Sequence, residues 1–287
     1  MNQDNDRWLF GCLLPFSSFI LHPFPMCAMT RTQRQIEEHR QGQACLEVWS
    51  AGRPCPGVGV WAEQETHAFA FGCVAPDPAS LPEAVRQRCH DRLTEVFNRL
   101  MSADQPTEPG VLRVEVQQGI RPGQLLRELD RLSSPGRALE VRVSGRSAGL
   151  GPDVDERAAA ERVAELYTLC FAHPGVCAIV WEGFWDGEPG ADGGGLLRRD
   201  FSPRPAFRYL QKLIGTVWHS RAAGETDEAG RFHLRAFFGD YRVAARIGEE
   251  PATVGVLCCR PGPGPSVVRL DLPGGDSDSL ARQASPE

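Results

Sequence analysis

The segment that most constrains the fold is residues 176–214. Within it, the apolar run 177–180 is bounded by Gly175 and Gly183, a pattern typical of a buried β-strand. Aromatic and acidic side chains follow at once, namely Trp181, Glu182, Phe184, Trp185 and Asp186. In an α/β barrel, functional residues lie at the carboxyl ends of the strands. The pattern therefore predicts a buried strand that leads directly into a candidate site.

The middle of the chain alternates between helical and extended patterns. The best helical pattern covers residues 80–101, where Ser80 and Glu83 have the spacing of a capping box. Strand–helix alternation predicts a parallel sheet built from βαβ units. The other predicted elements are strands at 67–72, 112–116 and 139–143, and helices at 122–133, after Asp155 and from Pro205.

The two flanks follow a different pattern. Apolar residues alternate with polar ones from residue 44 to 64, and again in short runs from 232 to 272. Turns rich in Gly and Pro separate these runs. We therefore expect both flanks to pack together as one discontinuous antiparallel β-sandwich, residues 43–70 plus 217–273. A short exposed helix is expected at residues 30–41.

The two ends of the chain allow fewer inferences. Residues 1–29 fit either a leader with a mispredicted start, Met29 being the natural one, or a weak signal peptide, since Asp4 and Asp6 occupy the region where positive charge is expected. The apolar run 9–21 is too short to span a bilayer. The tail at residues 274–287 is expected to be disordered. The sequence does not determine the cellular compartment of the protein.

Composition excludes several classes of partner and cofactor. The formal net charge is −6 and the basic residues form no cluster, which argues against nucleic acid. The ten cysteines form no C-x-x-C pair and the histidines are scattered, so we expect no metal site and small buried thiols. No Lys-Ser or Lys-Thr follows the glycines at 193–195, so these are not a phosphate loop. No cofactor and no membrane partner are expected.

The middle of the chain resembles glycoside hydrolase family 10, the endo-1,4-β-xylanases. The motifs are A-I-V-W-E-G-F-W-D-G and then G-G-L-L-R-R-D-F-S-P-R-P-A-F-R-Y-L, which resemble the last barrel strand and closing helix of that family. F-A-F-G-C resembles its first strand, and L-R-V-E-V-Q-Q-G its sixth. The resemblance implies a TIM-type (β/α) barrel over residues 71–216, hydrolysis of xylan or a related β-linked polysaccharide, and secretion.

The flanks resemble a carboxypeptidase-regulatory-like β module. Two stretches carry this resemblance, G-R-P-C-P-G-V-G-V before the barrel-like region and G-E-T-D-E-A-G-R-F-H-L-R-A-F-F-G-D-Y-R-V after it. The resemblance implies a small β-sandwich whose two parts are separated in sequence by the barrel-like region.

Three departures from family 10 bear on catalysis. The family nucleophile is a Glu that ends the seventh strand, and here that position is Gly145. The Trp-Asp-Val-x-Asn-Glu segment that holds the family acid/base is absent from this sequence. The region 71–215 is also shorter than the roughly 250 residues of a full barrel. We therefore expect only a partial barrel, lacking about strands two to five, with the gap near residues 104–110.

The candidate site residues follow from the strand end at 176–182. Glu182 and Asp186 are the nearest carboxylates, and we weigh a catalytic role for them against simple solvation or turn capping. Trp181, Trp185 and Phe184 are candidates for binding sugar rings, with core packing as the alternative for the two tryptophans.

Three hypotheses remain open from the sequence. The first is that the chain is a family 10-like hydrolase by descent, weak or inactive as written. The second is that it is a non-catalytic carbohydrate-binding or scaffold protein. The third is a truncated gene product whose missing segment carries the active site.

Overall fold

The computed structural model describes residues 26–188, 191, 193–248 and 252–273. The predicted tail and most of the predicted leader lie outside these residues. Five helices are described: α1 Met26–Arg40, α2 Glu83–Thr94, α3 Pro122–Leu132, α4 Glu156–Ala172 and α5 Pro205–Lys212, the last continued by a π turn at Leu213–Val217. The strands are β1 Gln41–Ser50, β2 Arg53–Pro54, β3 Gly59–His67, β4 Ala70–Val74, β5 Arg99–Met101, β6 Val111–Glu115, β7 Ala138–Ser144, β8 Val176–Glu182, β9 Arg221–Glu225, β10 Arg231–Phe237, β11 Gly239–Arg246, β12 Thr253–Cys259 and β13 Ser266–Leu272.

The two flanks of the chain share two sheets. β1 pairs with β10 and β13 in one sheet, and the other has the order β12-β11-β3-β9. β1 and β3 of the amino-terminal flank thus pair with strands of the carboxyl-terminal flank. Alternate side chains of both sheets, among them Leu46, Val60, Tyr241 and Leu257, form one buried cluster between them.

One detail of the flank prediction is wrong, because the first sheet is mixed. β1 runs parallel to β13, with Leu46 opposite Val268, and antiparallel to β10. A hairpin turn can join only antiparallel neighbours, and a parallel pair needs a long connection. Nearly the whole chain lies between β1 and β13, so their parallel pairing carries no local sequence signal.

The middle of the chain forms a five-stranded parallel sheet of order β5-β4-β8-β7-β6. The helix-facing side chains of β7 and β8, such as Val141, Ile179 and Trp181, share one buried cluster with Leu129 and Phe171 of the helices. Within the described residues the sheet stays open, with β5 and β6 as its edges. The α/β class is confirmed.

The predicted helix at residues 80–101 is wrong at both ends. Helix α2 begins at Glu83 after Pro82, which provides no side-chain cap, and the Ser80 hydroxyl donates to the Asp77 carbonyl instead. Leu81 is extended, as expected for a residue before proline. At the other end, β5 pairs with β4. Long-range pairing therefore overrides the helical pattern there.

A partly buried arginine joins the leading helix to the middle of the chain. Arg40, the last residue of α1, donates to the carbonyls of Phe171 and His173 at 2.6 Å and of Val176 at 2.8 Å. Positive charge at the end of α4 is favourable because carbonyls there lack helical partners. Arg40 thus anchors α1 and β1 to α4 and β8.

The cysteines and helices bear on two further expectations. Of the described cysteines, Cys45, Cys73, Cys89, Cys170 and Cys259 are buried thiols, whereas Cys177 and Cys258 are exposed. Among the helices of the described residues, none combines the length and apolar character that crossing a bilayer requires.

Candidate functional site

A cavity lies where β7 and β8 end. Its volume is about 250 Å³. Ser144 and Gly145 line it from the end of β7, and Glu182 from the end of β8. The loop after β8 adds further lining residues, including Trp185, Glu188 and Gly194.

Gly145 has no space for a side chain. A Cβ atom built there would lie 1.7 Å from the Gly194 carbonyl oxygen and 2.9 Å from its Cα. Real Cβ atoms never approach backbone atoms so closely. The glycine loop after β8 therefore occupies the space that a side chain at position 145 would need.

Glu182 belongs to a chain of ion pairs on the sheet face opposite the helices. Arg142 Nη1 lies 2.8 Å from Glu182 Oε1, and Arg142 Nε lies 2.9 Å from Glu140 Oε1. Arg113 extends the chain, with its Nε 3.3 Å from Glu140 Oε1. Arg142 is only 2% exposed, whereas the Glu182 side chain is 36% exposed and faces the cavity. A fixed cation thus accompanies the carboxylate.

Asp186 holds the loop that follows β8. One oxygen of Asp186 accepts from the Gly195 amide at 2.7 Å, and the other accepts from Arg204 Nη2 at 2.8 Å. Arg204 also pairs with Glu156 at the start of α4. Both Asp186 oxygens are therefore engaged in positioning the loop, and its side chain is 12% exposed.

The three aromatic candidates are packed into the protein. Trp181 and Phe184 are fully buried, so neither offers a ring face to a sugar, and the expectation that they bind one is wrong for this conformation. Trp181 points to the helix side because successive side chains of a strand alternate between faces. Trp185 reaches the cavity, yet its ring stacks on Phe201 at 4.5 Å between centroids. Its Nε1 donates to the Arg199 carbonyl.

Sequence reasoning missed Glu188, which lines the same cavity as Glu182. Its carboxylate accepts from the Trp185 amide at 3.2 Å, and burial raises the pKa of the Glu188 carboxyl above its ordinary value. The available signal was its position in the loop after β8, six residues past Glu182.

Within the described ranges, His, Cys, Asp and Glu side chains form no group of three or more that could hold a metal ion. The cavity chemistry consists of hydrogen-bond donors and acceptors, with two carboxylates in different environments.

Comparisons with known proteins give partial similarities. No family model matches the chain. Over 95 residues it is 34% identical to the anti-sigma-I factor RsgI6 of Acetivibrio thermocellus, a match that spans 32% of this chain and 12% of that protein. The chain thus covers a small part of the curated relative's length.

Among solved structures, the chain is similar in part to two xylanases. Xylanase 10B of Thermotoga maritima is 21% identical with a TM-score of 0.28, over 36% of each chain. Xylanase 10B of Thermotoga petrophila, solved in complex with xylobiose, is 18% identical with a TM-score of 0.27, over 36% of this chain and 35% of that one. The pilus backbone protein RrgB of Streptococcus pneumoniae matches 81% of this chain and 41% of its own at 6% identity, with a TM-score of 0.20.

Proposed function

We propose that this chain is a non-hydrolytic, family 10-like protein that binds xylan or a related β-linked polysaccharide at the cavity beside β7 and β8. The observation that carries the non-hydrolytic part is the contact between Gly145 and Gly194. By resemblance, position 145 is where family 10 places its nucleophile. Here the position lacks a carboxylate and also lacks the space for one.

Asp186 and Glu182, the two carboxylates predicted from the sequence, do not replace the missing groups. Retaining glycosidases use a nucleophile and an acid/base about 5–5.5 Å apart. Asp186 is fully occupied by Gly195 and Arg204, and Glu182 is held by Arg142. Acid/base assistance alone is worth roughly 10²–10⁴-fold in rate. Without either family carboxylate, hydrolysis at a family rate is not expected.

The strand order supports a partial barrel as the scaffold. The resemblance makes β4 the first strand, β6 the sixth, β7 the seventh and β8 the last. The observed order puts β4 beside β8, β8 beside β7 and β7 beside β6, as neighbours around a closed barrel would be. We therefore propose that residues 71–216 form a partial barrel, flanked by a β-sandwich of residues 43–70 and 217–273.

Binding in this cavity rests on polar groups. Glu182 and Glu188 offer carboxylate oxygens, and Ser144 lies beside them at the cavity wall. Such groups suit the hydroxyls of a sugar, whereas the aromatic rings nearby are packed into the protein. We expect millimolar affinity for xylo-oligosaccharides, about −4 kcal/mol.

The test combines binding and turnover. Xylobiose is titrated into the purified chain by calorimetry or NMR, and release of reducing sugar from xylan is measured in parallel. We expect binding without release, with Glu182→Gln weakening binding. Robust release that is lost in Glu182→Gln would show that Glu182 is a relocated catalytic group. Absence of binding to xylobiose and to longer xylo-oligosaccharides would refute the proposed ligand.

A further inference from the structure

Strand β12 is an edge strand without the usual protection. Among the residues that the structure describes, it pairs only with β11, and its sequence, T-V-G-V-L-C-C, contains neither a charge nor a proline. Natural edge strands carry charges or prolines to prevent pairing with other chains. Every other edge strand of the three described sheets carries charge, at Arg53, Arg99, Arg113, Glu115, Arg221, Glu225, Arg231, Arg235, Arg269 and Asp271.

The outer face of β12 is also apolar. Val254 is 61% exposed and Val256 is 60% exposed, the highest values among the exposed large hydrophobic residues of the described chain. The two lie two residues apart and so point to the same face. Cys258, also exposed, continues this row. Exposed apolar side chains in a row on an uncharged edge are typical of an interaction surface.

Charges next to this edge are paired. On β11, Asp240 lies 2.5 Å from Arg260, and Arg242 lies 3.5 Å from Glu65. Each pair is neutral as a unit. An approaching copy of the same chain would therefore meet no unpaired like charge from these residues, although the chain as a whole carries −6.

We propose that β12 pairs antiparallel with β12 of a second copy of this chain about a two-fold axis. An edge strand supplies both N–H donors and C=O acceptors, so two identical antiparallel edges satisfy each other, as an isologous interface requires. The pairing joins two four-stranded sheets into one continuous sheet. It also places the exposed valines of the two copies side by side.

The length of β12 sets the register. Directly opposed side chains of two paired strands lie on the same face of the sheet. In a symmetric antiparallel pair this requires one residue to lie opposite the same residue of the second copy, with the two-fold axis between them. Pairing of the whole strand Thr253–Cys259 puts this axis at the central residue, Val256. Val254 then lies opposite Cys258 of the second copy.

The first experiment measures the oligomeric state of the full chain by sedimentation or light scattering over a concentration series. We expect a dimer for the wild type and a dissociation constant at least about tenfold higher for Val256→Lys, since two lysines would then face each other. Val154→Lys, on a valine that is 40% exposed outside β12, is the matched control and should stay dimeric. A monomeric wild type, or a Val256→Lys variant that dimerises as well as the wild type, overturns the proposal.

The second experiment tests the register by oxidation. Val254→Cys should form a crosslinked dimer through Cys258, because directly opposed residues in an antiparallel pair lie about 4.5–5.5 Å apart at Cα, within disulfide reach. The double variant Val254→Cys/Cys258→Ser should lose this crosslink. Equal crosslinking in both variants would assign the bond to another cysteine and overturn the register.

Discussion

Arg142 Nη1 lies 2.8 Å from Glu182 Oε1, so one buried guanidinium links the candidate carboxylate on β8 to β7. Arg142 Nε binds Glu140, which is also buried. The arginine thereby pairs with two carboxylates, and Arg113 supplies a second cation beside Glu140. The cavity edge is thus built on a buried ion network.

We expect Arg142→Met to destabilise the fold strongly. Removing one partner of a buried ion pair leaves an uncompensated charge and costs about 3–5 kcal/mol. Urea denaturation measures this loss. The matched control is Arg157→Met, whose side chain is 83% exposed and pairs with Glu161, and it should cost about 1 kcal/mol or less. Equal losses in the two variants would contradict the structural role of Arg142.

Gly145→Ala tests the contact with the Gly194 carbonyl. The added methyl would overlap backbone that must move, so we expect a loss of at least about 1–3 kcal/mol. Gly151→Ala is the control, because a Cβ there meets nothing within 4 Å. The measurement is the thermal unfolding of both variants beside the wild type. A Gly145→Ala protein as stable as the control would mean that the loop yields easily and that a carboxylate could be built at this position.

Stability should fall on acidification through His67. Burial, followed by the charge of Arg40, lowers the pKa of His67 from 6.5 to about 4. Between pH 6.5 and pH 4 the unfolded chain binds more protons at this position than the folded chain does. The free energy of unfolding therefore decreases as the pH falls from 6.5 towards 4, by up to about 3 kcal/mol. Denaturation of His67→Gln across this range should show a smaller slope than the wild type. His233→Gln, at an exposed position, should keep the wild-type slope.

Trp185→Ala should act on stability before it acts on sugar binding. The ring is 8% exposed and stacks on Phe201, and truncation of a buried tryptophan costs about 3–5 kcal/mol. Melting temperature and xylobiose affinity are measured on the same samples. An unchanged melting temperature with lost affinity would instead restore the sugar-stacking role expected from the sequence.

The sequence by itself located most strands and helices of this chain. Apolar runs and period-two patterns placed β7, β8 and the flanking strands, because burial of one face is written in local residue order. The helix predicted after Asp155 is α4, and the Asp155 carboxylate accepts from the amides of Arg157 and Ala158. The end of β8, beside which the cavity lies, was also located from the sequence, since a strand end is a local feature.

Only the tertiary structure decided which chemistry the site retains. The contacts of Gly145 with Gly194, of Glu182 with Arg142 and of Trp185 with Phe201 join residues from different elements or from opposite ends of one loop. Strand β5 also depends on a distant partner, since its pairing with β4 overrode a helical pattern. Local periodicity reports which face of an element is buried, but it does not encode which side chain arrives from elsewhere to fill the space. For that reason the strand end beside the cavity could be predicted from the sequence, whereas the ion pairs and close packing of the residues around it could not.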